Sequence, residues 1–323
     1  MLLNILAILA GLAVLVWGAD RFISAAAALA DNLGVSPIMI GLTIVGFGTS
    51  APEVLVSSIA AIDGNPGLAI GNAIGSNIAN IGLILGATAL VVPLTVRSEV
   101  LQREYPLLLA VSLISLALMW DGTLSRLDGA ALLVLLVGIL GWMVHSAKTG
   151  SSDPIASEFD AEIPHGMPTS KAVRSLVVGL LALLLSSKAL VWGAVNLATA
   201  LGINDVIIGL TIVAIGTSLP ELAATIASAL KGEHDIAIGN VVGSNLYNIL
   251  AVLSLPGLIA PGPFSPEIIH RDQPVMIGLT VALFLIGYGF RRHGRINRLE
   301  GLLLVIAFTA YQTLLFFSMV ESP

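Results

Sequence analysis

The sequence predicts an all-α integral membrane fold of ten transmembrane helices arranged as two inverted five-helix repeats. Three observations predict it. Only 11% of the 323 residues are charged and 56% are hydrophobic, whereas a soluble domain carries about 25% charged residues. Mean hydropathy is +0.98, and apolar runs near the roughly 20 residues that span a bilayer recur along the whole chain. Two stretches also repeat at an offset of 168 residues.

The apolar runs fall near 2–30, 36–62, 68–93, 104–120, 127–147, 172–201, 204–230, 236–260, 273–290 and 299–319. No Lys or Arg precedes the first, as a signal peptide would require, so it reads as the first span of the mature protein. Several connections are very short, for example Asp63–Pro66 and Lys231–Asp235. One long polar stretch divides the spans five and five. The expected organisation is a first repeat over 1–147, a linker over 148–171 and a second repeat over 172–323.

The repeat is specific. Residues 40–53 read IGLTIVGFGTSAPE and 208–221 read IGLTIVAIGTSLPE, agreeing at eleven of fourteen positions. Residues 69–81 read AIGNAIGSNIANI and 237–249 read AIGNVVGSNLYNI, agreeing at nine of thirteen. Agreement in register and without gaps marks a duplication. With alternate loops sharing a side, one side holds Arg97, Arg103, Lys148, Lys171, Arg174, Lys231, Arg291, Arg292, Arg295 and Arg298, and the other only Arg126 and Arg271. The positive-inside rule then places the linker in the cytoplasm and both termini outside. Five spans per half is an odd number, so the halves enter from opposite faces, as in many secondary transporters.

The remaining composition narrows the chemistry. Without cysteine there are no disulfides or thiolate metal sites. The five histidines lie in polar connections without metal-ligand spacing, which reads as solvated loop positions. No nucleophile–base pair suggests an enzyme. The expected partners are the lipid bilayer and small inorganic cations, with no nucleic acid and no obligate protein partner.

Glu53 and Glu221 carry the functional information. Each lies deep in an apolar run, where an ionised carboxylate costs about 3 kcal/mol even on the gentlest scale. No basic residue lies near either in sequence, and Arg21 and Lys188 belong to other spans. Gly46, Gly48 and Pro52 interrupt the first run, and Gly216 and Pro220 the second. Proline removes an amide hydrogen, and backbone groups freed in lipid need partners inside the protein or in a wet cavity. Carbonyls near Gly46, Thr49, Ala214 and Thr217 can turn toward a cation, beside the hydroxyls of Thr49, Ser50, Thr217 and Ser218. Such an all-oxygen set suits hard cations, and calcium accepts it in flexible geometry. Ser76 with Asn80, and Ser244 with Asn248, each share a helix face. Asn77 and Asn245 are expected to tie the broken helix to its neighbour. Gly71 and Gly75, like Gly239 and Gly243, form small-xxx-small surfaces for close packing.

GTSAPE at 48–53 and GTSLPE at 216–221, each followed by GNxxGSNxxN, resemble the paired alpha-repeats of the sodium/calcium exchanger family, within the calcium:cation antiporter superfamily. The resemblance implies a central calcium site from the side chains of Glu53 and Glu221 and main-chain oxygens of Thr49 and Thr217. It implies flanking sodium sites at Gly46, Ser50 and Ser76 in one half and Ala214, Ser218 and Ser244 in the other, with Asn80 and Asn248 completing the centre. The first and sixth spans would be the gating helices. Many relatives carry Asp where this chain has Asn248, leaving two acidic ligands here. The implied function is calcium-for-sodium antiport at a cell inner (plasma) membrane, without a cofactor. Calcium/proton (or other divalent cation/proton) antiport is the alternative.

A physical argument favours exchange. Two carboxylates about 5 Å apart repel by roughly 3 kcal/mol at an effective dielectric of about 20. One calcium, two sodium ions or two protons each neutralise that charge, so the carrier should cross loaded both ways. A channel with a carboxylate-pair filter is the rival class, and broken helices in inverted repeats favour the carrier.

Overall fold

The structure is a computed structural model that describes residues 1–34, 49–96, 99–149, 163, 166–288 and 294–321. The described chain is helical throughout its spans. In order, the helices are α1 (Leu2–Asn32), α2 (Ala51–Ile62), α3 (Pro66–Val91), α4 (Glu99–Met119), α5 (Arg126–Thr149) and α6 (Thr169–Leu201). They continue with α7 (Asp205–Thr217), α8 (Leu219–Lys231), α9 (His234–Ile259), α10 (Ile268–Gly287) and α11 (Arg298–Glu321). Among the described residues, six helices are long and apolar enough to cross a membrane, or seven if α7 and α8 form one bent span.

Burial sorts these helices into a centre and a shell. The apolar windows of α3 and α9 are 78% and 83% buried, whereas those of α1 and α11 are 28% buried. Apolar side chains exposed on α1, α6 and α11, such as Leu9, Leu185 and Phe316, suit contact with lipid. Glycine permits the closest crossings. A methyl on Gly75 of α3 would lie 2.7 Å from Leu210 Cα of α7, and one on Gly179 of α6 would lie 2.8 Å from the Phe22 nitrogen of α1. Close packing at Gly71 and Gly75 is thus as the sequence suggests. Gly243 differs, since among the described residues nothing stands within 4 Å of a methyl built there.

Both central helices contain a π-helical turn, Asn80–Leu85 in α3 and Asn248–Val252 in α9. Their first residues are 168 apart, the repeat offset. Two short antiparallel ribbons join the halves: β1 (Leu94–Thr95) pairs with β4 (Arg295–Ile296), and β2 (Thr123–Leu124) with β3 (Gly262–Pro263). The histidines depart from the loop expectation. His145 lies within α5, His270 in the first turn of α10, and His234 opens α9, where its Nδ1 lies 2.9 Å from Thr95 Oγ1. An imidazole at a helix end reaches a neighbouring loop that sequence alone does not place. His165 and His293 lie outside the described residues.

Candidate functional site

The site is built at two helix starts. Ser50 precedes α2 and Ser218 precedes α8, with nearly equal backbone angles (φ −84°, ψ 4° and φ −84°, ψ 8°). Pro52 and Pro220 occupy the first turn, where a missing N–H costs no intrahelical bond. At Ser218 the chain bends by 42° between α7 and α8. Glu53 and Glu221 follow within the first turn of α2 and α8. Their carboxylates therefore sit at the positive ends of two helix dipoles, which favours negative charge there.

The predicted residues converge. Glu53, Glu221, Ser50, Ser76, Asn80, Thr217, Ser244 and Asn248 are all 0% exposed, and Thr49, Ser218 and Ala214 are buried with them. Ser218 Oγ donates to Glu53 Oε1 at 3.3 Å, joining the break of one half to the carboxylate of the other. Thr49 Oγ1 lies 3.2 Å from Ser244 Oγ, and Asn80 Nδ2 donates to Asn245 Oδ1 at 3.0 Å. Gly46 lies outside the described residues. The Ala214 carbonyl is not free as the broken-helix argument suggests, because it accepts the Ser218 N–H at 3.2 Å and lies 3.4 Å from the Thr217 hydroxyl.

What is left unpaired defines the chemistry. Among the described residues, buried oxygens without a hydrogen-bond partner include Ser50 Oγ, Glu53 Oε2, Ser76 Oγ, Asn80 Oδ1, Asn248 Oδ1 and both oxygens of Glu221. Among the described residues no ion pair reaches either carboxylate. A buried polar group without a partner costs about 1–3 kcal/mol, and more when charged. Seven such oxygens are the kind of donor set that a hard cation takes. Among the described residues, no group of three or more His, Asp or Glu forms a metal cluster.

Two residues were missed from the sequence. Asn72 Nδ2 donates to Ser57 Oγ (2.9 Å) and the Glu53 carbonyl (3.4 Å), and Asn240 Nδ2 donates to Thr225 Oγ1 (2.9 Å) and the Glu221 carbonyl (3.3 Å). These are the side chains that tie each carboxylate helix to its neighbour. The role expected of Asn77 and Asn245 falls elsewhere: Asn77 Nδ2 reaches Met276 Sδ, and Asn245 Nδ2 reaches the Asn77 carbonyl, both at 3.5 Å. Asn72 and Asn77, like Asn240 and Asn245, are five residues apart, which places them about 140° around the helix, so they meet different partners. The signal available was the GN pair that opens each GNxxGSN string.

The family profile described as sodium/calcium exchanger protein matches residues 3–144 and 171–317. Inner membrane protein YrbG of Escherichia coli is 42% identical over 98% of this chain and 98% of its own. Sodium/calcium exchanger MaX1 of Methanosarcina acetivorans is 33% identical over 97% of this chain and 99% of its own. A solved structure of the sodium-calcium exchanger NCX_Mj, soaked with sodium and strontium, superposes with a TM-score of 0.67 at 33% identity, covering 96% of this chain and 97% of that one.

Proposed function

The chain belongs to the sodium/calcium exchanger protein family, and from that premise we propose that it exchanges calcium for sodium by alternating access through the two-carboxylate site. It is a multi-pass membrane protein, and its family supports cation antiport. The observation that carries the reading is the cluster of unpaired buried oxygens around Glu53 and Glu221. One calcium or two sodium ions would neutralise the pair equally, so the carrier crosses loaded in either direction.

The same proposal includes the ligands. Glu53 and Glu221 hold calcium with oxygens of Thr49 and Thr217. Ser50 and Ser76 with Gly46, and Ser218 and Ser244 with Ala214, hold sodium at either side. Asn80 and Asn248 close the centre. Ten spans form two inverted repeats, 1–147 and 172–323, around a cytoplasmic linker, with both termini outside an inner (plasma) membrane. Contacts between connections support this topology. The β1–β4 ribbon and the His234–Thr95 bond join connections assigned to the cytoplasmic side, and the β2–β3 ribbon joins two assigned to the outside.

Proteoliposomes loaded with calcium test the function. Efflux should need external sodium and stop when sodium is replaced by an impermeant cation at constant pH. Efflux driven equally by a proton gradient alone would select the proton reading, and equal flux without either gradient would sink antiport.

A further inference from the structure

The outward faces of α1 and α6 carry charge at membrane depth, and the acidic one has no route to water. The two helices cross tightly. A methyl on Gly11 would lie 3.2 Å from the Ser186 carbonyl oxygen and 3.3 Å from the Leu190 nitrogen, and one on Gly179 would lie 3.0 Å from the Gly18 oxygen and 2.8 Å from the Phe22 nitrogen. At the 168-residue offset these are one contact made twice. Gly11 is thus level with Lys188, the counterpart of Asp20, and the axis relating the two helices passes near positions 15–16. In the inverted topology proposed above, that axis lies in the membrane plane near mid-bilayer. Asp20 then stands at most about 7 Å from the midplane, where hydrocarbon extends about 15 Å to either side.

Asp20 and Arg21 are both exposed, and among the described residues Asp20 has neither a hydrogen bond nor an ion pair. Arg21 turns back over the Trp17 ring, 5.3 Å from its centroid, and so away from the nearer surface. Intramembrane charges pair or face protein, because an unpaired one costs about 3 kcal/mol even on the gentlest scale. A lysine at the matching place, Lys188, has a stem long enough to reach the interface. Aspartate does not. Gly18 faces α6, and the Leu12 side chain meets Gly216 of α7. Leu6, Ala10, Ala13 and Trp17 are all exposed and recur every three to four residues, about 120° around the helix from both of those contacts. Asp20 and Arg21 flank that seam on opposite sides.

We propose that this seam of α1 joins two copies of the chain about a two-fold axis normal to the membrane. Such an interface is self-complementary, so that residue i meets j and j meets i. Arg21 of each copy then stands opposite Asp20 of the other at the same depth, and two ion pairs form together. Ala10 and Ala13 let the backbones approach closely. The matching face of α6 has no such device, because Lys188 lies between Ser187 and Ala189 and a two-fold there would oppose like charges. The inference takes its depths from the proposed topology and nothing from which ions cross.

The chain contains no cysteine, so Ala13→Cys places a single thiol on the seam. In membranes, a permeant oxidant should link that variant into a dimer, whereas Phe316→Cys, exposed on α11, should stay unlinked. Asp20→Arg and Arg21→Asp should each lower the linking of the Ala13→Cys chain by about tenfold, and the two together should restore it. Linking that ignores the single reversals, or that the double reversal fails to restore, would overturn the pairing. If the reversed chains fail to insert, bleaching steps of the otherwise unaltered chain, labelled at its C-terminus, decide instead. Two steps in a bilayer are expected, and single steps alone remove the dimer and leave the face to lipid. Dimers without sodium-coupled calcium efflux remove the antiport reading alone, and monomers with normal efflux remove the dimer alone.

Discussion

At the scale of single residues, Glu53 and Glu221 are held by what surrounds them and left open by what does not. Each stands at a helix start, fully enclosed, and among the described residues Glu221 has neither oxygen bonded. Replacing either by Gln removes half of the charge that a divalent ion must meet. Breaking a buried charge pairing costs about 3–5 kcal/mol, so Glu53→Gln and Glu221→Gln should each lower calcium flux by about a hundredfold or more. Folded yield, checked by size-exclusion profile, should stay close to wild type. Transport retained by both would remove these residues from the site. Asn248 predicts the opposite kind of change. Both side-chain polar atoms of Asn248 are buried and unpaired, so Asn248→Asp adds a third negative group to the same cradle. Neutrality then requires a third monovalent counter-charge, and the sodium dependence of calcium flux should steepen. An unchanged sodium dependence would place Asn248 outside the ion cradle.

At the scale of elements, the breaks and the π-turns matter more than helix length. Pro52 and Pro220 start helices instead of kinking them, which puts the dipole of α2 or α8 behind each carboxylate. The π-turns begin at Asn80 and Asn248, and such turns add a residue to the ring and re-aim side chains, often at functional positions. Glycine sets the spacing between α3 and α7. A methyl on Gly75 would meet Leu210 Cα at 2.7 Å and Ala214 Cβ at 2.8 Å. Overpacking typically costs about 1–3 kcal/mol. Gly75→Val should therefore lower the melting temperature and reduce flux, because Ala214 adjoins the break. Gly138, with nothing within 4 Å of an added methyl, should accept Ala with no change in melting temperature. Equal tolerance at both positions would refute the packing account.

At the scale of the whole molecule, the halves are interlocked and not merely adjacent. The ribbons pair a strand of one half with a strand of the other, and Ser218 crosses to Glu53. The proposed ion site draws on both halves and therefore requires them docked. Separately expressed segments 1–147 and 172–323 should show no calcium-dependent stabilisation alone and recover it when co-expressed. The predicted orientation gives a second check. Protease added to inside-out vesicles should cut within 148–171, and the same protease added to right-side-out vesicles should leave the chain intact.

Much of this was legible in the residues. Low charge and long apolar runs imply a membrane protein because bilayer thickness and the cost of buried charge act on each segment locally. The 168-residue repeat singled out Glu53, Glu221 and the motif around them because a duplicated string is visible without coordinates. Span positions came close for the same reason: α1, α3, α5 and α6 begin and end within three residues of the runs read from hydropathy. Only the tertiary structure decided which oxygens are paired and which are left open. It assigned the helix-tying role to Asn72 and Asn240 instead of Asn77 and Asn245, engaged the Ala214 carbonyl, and made the halves unequal at Thr49 and Thr217. The Asn72 and Asn240 bonds span 19 positions and the Thr217 and Thr49 pairings 145 and 195, and which helix faces meet across such separations is set by packing that no local pattern encodes.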